Sequence, residues 1–291
     1  IGLHTNPHCP DIANRHLQPC GGVDAERTGD QVTDHVAVAD EQLGAFAALG
    51  GPEVFGEDAI ETGLACSEIF GLLGPNGAGK TSMFSAIEGL VNPREGDVLV
   101  AGIDVRRDPH GAKARMGVQL QASSFQSELS IEQISRLYAG LYGVVLTRRD
   151  IVEGMAGIGL DGELGKPFKR LSGGQQQRLA LFIAVIHKPV LLLLDEPTAG
   201  LDPQSRRSLW DRIERLRAEG GSILLTTHSM EEAQAVCDRV AIIDHGKLIT
   251  VETPANLIAN HRDDPRVRAV ARGEVTLEDV FIGLTGSDIR E

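Results

Sequence analysis

The chain has 291 residues, 42% of them hydrophobic and 24% charged, which suits a soluble globular protein with room for one large domain or two modest ones. Its formal net charge of −13 argues against broad attraction to nucleic acid or anionic lipid, since both reward basic surfaces. No stretch reaches the roughly 20 uninterrupted apolar residues that cross a bilayer, because LALFIAVI is parted from VLLLLDEP by His187, Lys188 and Pro189; membrane passage is expected on another polypeptide.

Residues 1–66 stand apart. They hold eleven acidic and two basic side chains, a balance of −9, whereas residues 67–291 hold thirty and twenty-six, a balance of −4. Periodicity is slight there beyond HVAVADEQLGAFAAL, so the segment is expected to be atypical and loosely structured. His4, Asn6, Pro7, His8 and Asp11 replace the basic start and apolar run of a signal peptide. His4, His8, Cys9, His16 and Cys20 raise the question of zinc, but their spacing fits no common finger. Cys9, Cys20, Cys66 and Cys237 form no dense framework, which points to a reducing compartment.

From Glu68 onward the pattern changes. EIFGLL reads as a strand, GPNGAGKT as a glycine-rich turn and SMFSAIEGL as a helical continuation. DVLVAGIDV and ARMGVQLQ each read as a strand from their β-branched and apolar alternation. Ser130 to Gly143 is expected to be helical: Ser130 and Gln133 have capping-box spacing, and Ile131, Ile134, Leu137 and Leu141 share a face. Most of residues 122–170 is expected to be helical. PVLLLLDE suits a central parallel strand; GSILLTTH supplies another, and RVAIIDHGKLIT a pair turning at His245 and Gly246. Strands alternating with helices imply an α/β fold, a mostly parallel sheet between helical layers.

Gly74, Gly79, Lys80 and Thr81 fit G-x-x-x-x-G-K-[ST] between an expected strand and helix, the context that makes a phosphate loop specific. Pro75, Asn76, Gly77, Ala78 and Ser82 complete it: backbone N–H groups converge on phosphate, Lys80 reaches the β- and γ-oxygens, and the Thr81 hydroxyl can ligate Mg²⁺. A metal bridging phosphates needs a second anchor, which Asp195 supplies at the end of the apolar strand. Glu196, directly after it, is placed to act as general base toward an attacking water. Ser172, Gly173, Gly174 and Gln175, in LSGGQQQRL, open another helix whose bare N–H groups favour an anion, with no phosphate loop beside them in sequence.

These motifs resemble the ATP-binding cassette ATPases: GPNGAGKT, LSGGQ at 171–175, LLLLDEP at 191–197, AGLD at 199–202 and TTHSMEEA at 226–233 follow the family's order. The resemblance covers about residues 67–290 and implies a P-loop NTPase fold with an inserted helical subdomain (about 122–172) in a core of 67–245. It further implies a small, incomplete antiparallel β-subdomain and a short C-terminal extension over 246–291. By it, Gln121 is similar to the glutamine that senses Mg²⁺ and the attacking water, with Gln119 the second choice. His228 resembles the switch histidine on the γ-phosphate, and Asp202 the residue that couples two sites of a dimer. Catalysis would thus fall to Glu196, His228, Gln121 and Lys80, metal binding to Thr81, Gln121 and Asp195, and the cofactors would be ATP and Mg²⁺.

The same resemblance implies two cassettes packed head to tail, Ser172 of one facing the γ-phosphate held by the other, most simply a homodimer. The tail TLEDVFIGLTG at 276–286 is similar to that of bacterial drug-resistance exporter ATPases of the daunorubicin type. The partner would be an integral membrane permease on a separate chain, and the location the cytoplasmic face of the plasma membrane. The family's adenine-stacking aromatic has one candidate, Phe55, which lies 19 positions before Gly74 and so closer than the family's usual spacing. Two other readings compete: a soluble cassette acting on nucleic acid or ribosomes, and a nucleotide-binding relic with a damaged N-terminus. Lys80 and Ser172 are 92 positions apart, which leaves no room for the coiled-coil arm of many such soluble cassettes.

Overall fold

The computed structural model describes residues 63–93, 96–119 and 125–286, and the backbone of residues 45–46. The zinc question at His4 to Cys20, Phe55 and Gln121 lie outside the described residues. In chain order the strands are β1 (Ala45–Phe46), β2 (Gly63–Leu64), β3 (Ile69–Leu73), β4 (Leu99–Val100), β5 (Ile103–Asp104), β6 (Met116–Gln119), β7 (Leu191–Asp195), β8 (Ser222–Thr226), β9 (Arg239–Asp244) and β10 (Lys247–Glu252). The helices are α1 (Lys80–Ile87), α2 (Pro109–Lys113), α3 (Ile131–Leu141), α4 (Arg148–Ala156), α5 (Gly173–Val185), α6 (Pro203–Ala218), α7 (Met230–Val236), α8 (Pro254–His261), α9 (Pro265–Val270) and α10 (Leu277–Thr285).

The main sheet runs β10-β9-β3-β8-β7-β6, parallel from β9 to β6, with β10 antiparallel at one edge. Because successive side chains point to opposite faces, the unbroken LLLL of β7 serves two cores. Leu191 and Leu193 join a cluster with Met83, Phe84 and Ile87 of α1, while Leu192 and Leu194 join Leu181, Leu209, Ile213 and Phe281 on the other face. This is why a strand between two helical layers carries no polar alternation. The β9–β10 hairpin turns at His245 and Gly246, as the sequence suggests, and spans the expected boundary at 245/246, so β10 belongs to the main sheet.

One local reading changes. DVLVAGIDV is not one strand: Ala101 and Gly102 have φ of +49° and +76°, a two-residue turn that folds the segment into the antiparallel pair β4–β5. Within the segment expected to be loose, Ala45–Phe46 pair antiparallel with Gly63–Leu64. That gives a second small antiparallel pair.

The helical insertion has its own core of Ile131, Ile134, Ile151, Met155, Leu160 and Phe168, with Phe125 edge-on to both Tyr138 and Phe168. Ser130 and Thr147 each start a helix with a full capping box. Residues 142–147 and 157–172 are turns, short 3₁₀ segments and loop, so the described part of 122–170 is less helical than the periodicity suggests. α5 ties the insertion to the sheet: Leu179 and Ile183 face the insertion core, Leu181 and Ala184 the sheet core.

Candidate functional site

The parallel register gathers the expected site residues. β3, β8 and β7 are neighbours, and their C-terminal ends carry the phosphate loop, His228 and the Asp195–Glu196 pair respectively. In open α/β sheets this is the edge where ligands bind. The loop from Gly74 to Gly79 is pinned to β9: a Cβ on Gly74 would sit 2.5 Å from the Ile243 carbonyl oxygen, and Gly246 N–H donates to Ala78 O at 3.0 Å. Gly79 precedes α1 with φ of 106°, a left-handed conformation that glycine adopts without a Cβ penalty, and it offers no side-chain cap.

The start of α1 is therefore bare. Its N–H groups and dipole present positive charge at the strand edge, with Asn76, Gly77, Thr81 and Ser82 exposed around it. Lys80 folds back over the loop, its Nζ donating to Gly74 O at 2.6 Å and Pro75 O at 3.0 Å. Burial pushes the Lys80 ammonium below its usual range, and the nearby carboxylates of Glu196 and Asp195 oppose that shift. A phosphate chain would give this ammonium a stronger partner than two carbonyls.

Opposite the loop, Asp195 Oδ1 accepts from Thr226 Oγ1 at 2.6 Å. Glu196 has φ of 45°, and its N–H donates to Thr226 O at 3.2 Å and to Thr226 Oγ1 at 3.0 Å. Thr226 thereby fixes both acids from the neighbouring strand. His228 Nδ1 lies 3.5 Å from Glu196 Oε2, with the imidazole 55% exposed and the carboxylate 17%. Lys80, Asp195, Glu196 and His228 thus form one cluster.

The geometry also tests the fit of a magnesium ion. Among the described residues no group of three or more His, Cys, Asp or Glu side chains is set to hold a metal alone. What the edge offers is hard oxygen, the Thr81 hydroxyl and the Asp195 carboxylate, beside an anion cradle. One or two protein oxygens completed by phosphate oxygens and water is the arrangement Mg²⁺ takes with nucleotides.

Ser172 belongs to a second cluster. Its Oγ accepts from Gln175 N–H at 3.3 Å while Gln175 Oε1 accepts from Ser172 N–H at 3.0 Å, a closed capping box. The contacts of this start run elsewhere than the phosphate loop: Gln175 Nε2 donates to Glu163 Oε1 at 3.2 Å, and Gly174 packs against Ser205 and Leu201. Asp202 caps α6, accepting from Gln204 N–H and Ser205 N–H at 3.0 Å and from Ser205 Oγ at 2.6 Å. Those bonds hold the exposed Asp202 carboxyl below its usual range. The 196–202 loop joins the clusters, and Gln177 Nε2 braces it by donating to Pro197 O at 2.9 Å.

Gln119, at the end of β6, is 1% exposed, and neither of its amide atoms is hydrogen-bonded among the described residues. In the parallel register it pairs with Leu194, one position before Asp195. Motif reading missed Thr226 as the brace of both acids; its signal was the TTH that ends β8.

A glycine loop between strand and helix, with paired acids on a nearby parallel strand, defines the P-loop nucleoside triphosphatase fold. The sequence pattern described as ABC transporter matches residues 58–199. Nod factor export ATP-binding protein I of Sinorhizobium fredii (strain NBRC 101917 / NGR234) is 40% identical over 205 residues, 69% of this chain and 59% of that protein. Linearmycin resistance ATP-binding protein LnrL of Bacillus subtilis (strain 168) is 32% identical over 227 residues, 76% of this chain and 73% of that one. A solved structure described as the ATP binding subunit of an ABC transporter superposes with a TM-score of 0.67 at 26% identity, over 82% of this chain and 97% of that chain. The chain belongs to the ATP-binding cassette transporter family, as a nucleotide-binding component. It spans 59% of the length of the Nod factor relative, and among the described residues no helix is long and apolar enough to cross a membrane.

Proposed function

We propose that this chain hydrolyses ATP to drive an exporter whose membrane-spanning permease is a separate polypeptide, working at the cytoplasmic face of the plasma membrane. The observation that carries the reading is the convergence of Lys80, Asp195, Glu196 and His228 beside an uncapped helix start. The export direction draws on relatives named for Nod factor export and linearmycin resistance.

In this reading Gly74 to Ser82 wrap the phosphates, and Lys80 leaves the Gly74 and Pro75 carbonyls for the β- and γ-oxygens. Thr81 and Asp195 would hold Mg²⁺, with Gln121 as a further ligand; the ion, when bound, neutralises charge on the phosphate oxygens. Glu196 takes a proton from a water whose oxygen attacks the γ-phosphorus as the bond to the bridging oxygen breaks, leaving ADP and phosphate. His228, 3.5 Å from Glu196, fixes that carboxylate and donates toward the γ-phosphate. The capping box leaves the Gly173 and Gly174 N–H groups and the Ser172 O–H proton free of the box itself, so a second subunit's Ser172 start can close over the same γ-phosphate. Asp202 then links the two sites. Loss of that phosphate removes the contact and lets the pair reopen.

The test is Mg-dependent ATP hydrolysis by the chain with its membrane partner. Turnover that disappears in Glu196→Gln supports the reading; no turnover with or without the partner removes it. Salt-sensitive retention on DNA or ribosomes at physiological ionic strength would favour a nucleic-acid role instead.

A further inference from the structure

Glu232 has no part in the chemistry proposed for the site, yet its carboxylate is the meeting point of three elements. The residue is 7% exposed. Its Oε2 accepts from Thr198 Oγ1 at 2.6 Å and from Thr227 Oγ1 at 3.4 Å. Its Oε1 lies 3.1 Å from Arg206 Nε, a charge contact outside hydrogen-bond alignment. Ser229 Oγ caps the Glu232 N–H at 3.3 Å, and Ser229 N–H donates to Thr227 Oγ1 at 3.0 Å.

The partners matter because of their neighbours in the chain. Thr198 sits in the loop between Glu196 and Asp202. Thr227 immediately precedes His228. Arg206 belongs to the helix that Asp202 caps. A buried carboxylate is costly to desolvate, and replacing a buried ion pair by well-packed apolar groups is often neutral or stabilising. Stability alone therefore accounts poorly for an acid here. A multivalent acceptor does one thing an apolar side chain cannot: it fixes two separate loops at a set spacing through hydrogen bonds with defined geometry.

We infer that Glu232 is a positioning residue that clamps the Glu196–Asp202 loop to the His228 turn, so that the general base and the switch histidine keep their spacing and move as one unit. The inference rests on the ATP-hydrolysis reading for its catalytic consequence but not for the clamp itself. The clamp touches no part of the phosphate loop, so its loss acts on turnover and spares nucleotide affinity.

The experiment compares Glu232→Ala, Glu232→Gln and Thr198→Val with the full wild-type chain in two measurements. In steady-state hydrolysis, kcat of Glu232→Ala and Thr198→Val is expected to fall by about 10- to 100-fold, the scale of a small misplacement of catalytic groups. KM for ATP should stay within about 2-fold. Glu232→Gln, which keeps a carbonyl acceptor for the Thr198 hydroxyl, should recover most of the loss. In hydrogen exchange of the nucleotide-free chain, peptides covering 197–202 and 227–230 should quicken together in Glu232→Ala and Thr198→Val. Thr198→Val removes a single bond and keeps the test open should Glu232→Ala fail to fold. Unchanged kcat in the presence of wild-type turnover, or exchange that rises only within α7, overturns the inference. Should the wild type show no turnover at all, the hydrolysis reading fails; paired acceleration of exchange still upholds the clamp, and unpaired exchange removes it.

Discussion

The starts of α1 and α5 both involve glycine, before the helix at α1 and as its first two residues at α5, and their chemistry is opposite. At α1 the cap position is a left-handed glycine with no side chain, and the Lys80 ammonium is folded onto two carbonyls. At α5 a serine and a glutamine close a reciprocal box. The first start has no side-chain cap of its own, which suits the anion site proposed for it. The second is stable alone, keeps only its Gly173 and Gly174 N–H groups and one hydroxyl proton for a guest, and its own contacts run to the 196–202 loop. Such a difference is expected when one surface binds the ligand and the other recognises that it is bound.

The largest way to break this contrast is at the bare start. Lys80→Ala should lower ATP turnover by about 10²- to 10³-fold, the scale of removing one transition-state donor, and should weaken nucleotide binding measured by fluorescent ATP titration. Its melting temperature should not fall, because a half-buried ammonium is removed along with only two bonds to loop carbonyls. Next is Ser172→Asp. Aspartate caps a helix as well as serine, so thermal unfolding should be unchanged, while a carboxylate facing phosphate should reduce turnover on the order of 10²-fold. Turnover retained by that variant would mean that no anion approaches α5.

Ser172→Ala sharpens the comparison from the stability side: losing the cap should cost about 1 kcal/mol in denaturant unfolding, whereas Thr81→Ala at the uncapped α1 should cost nothing comparable. The smallest effect is expected just past the far end of α5, at His187. This imidazole stacks on Tyr142 with centroids 3.7 Å apart, its Nε2 lies 2.9 Å from Met116 O, and burial holds it below the usual histidine range. The unfolded chain then binds more protons below about pH 6.5, so stability is lost as pH falls through that value. In His187→Gln the decline of melting temperature between pH 7 and pH 5 should be shallower.

The parts of the fold legible in the sequence were those set by period and by special backbone geometry. The doubly buried β7, the capped helix at Ser130 and the turn at His245–Gly246 each announce themselves within a few residues. DVLVAGIDV misleads because its apolar run is continuous across a turn that contains alanine, a residue with no turn signature. The candidate site was legible where its residues are contiguous, as from Gly74 to Ser82, the glycine loop after β3 and the start of α1. Thr226 and Glu232 escape such reading because the contacts that matter, from Thr226 to Asp195 and Glu196 and from Glu232 to Thr198, join residues 30 or more positions apart. Ser229 and Glu232 do have the spacing of a helix start, which says where α7 begins and nothing about a buried clamp.

The central claim is that the α5 start of one subunit closes over ATP held at the α1 start of another. The direct measurement is the solution mass of Glu196→Gln, by light scattering, with and without saturating ATP. A rise to twice the monomer mass with ATP, lost when Ser172→Asp is added, is the predicted result. A mass that stays monomeric at saturation in the presence of the membrane partner, or a dimer indifferent to Ser172→Asp, would contradict it.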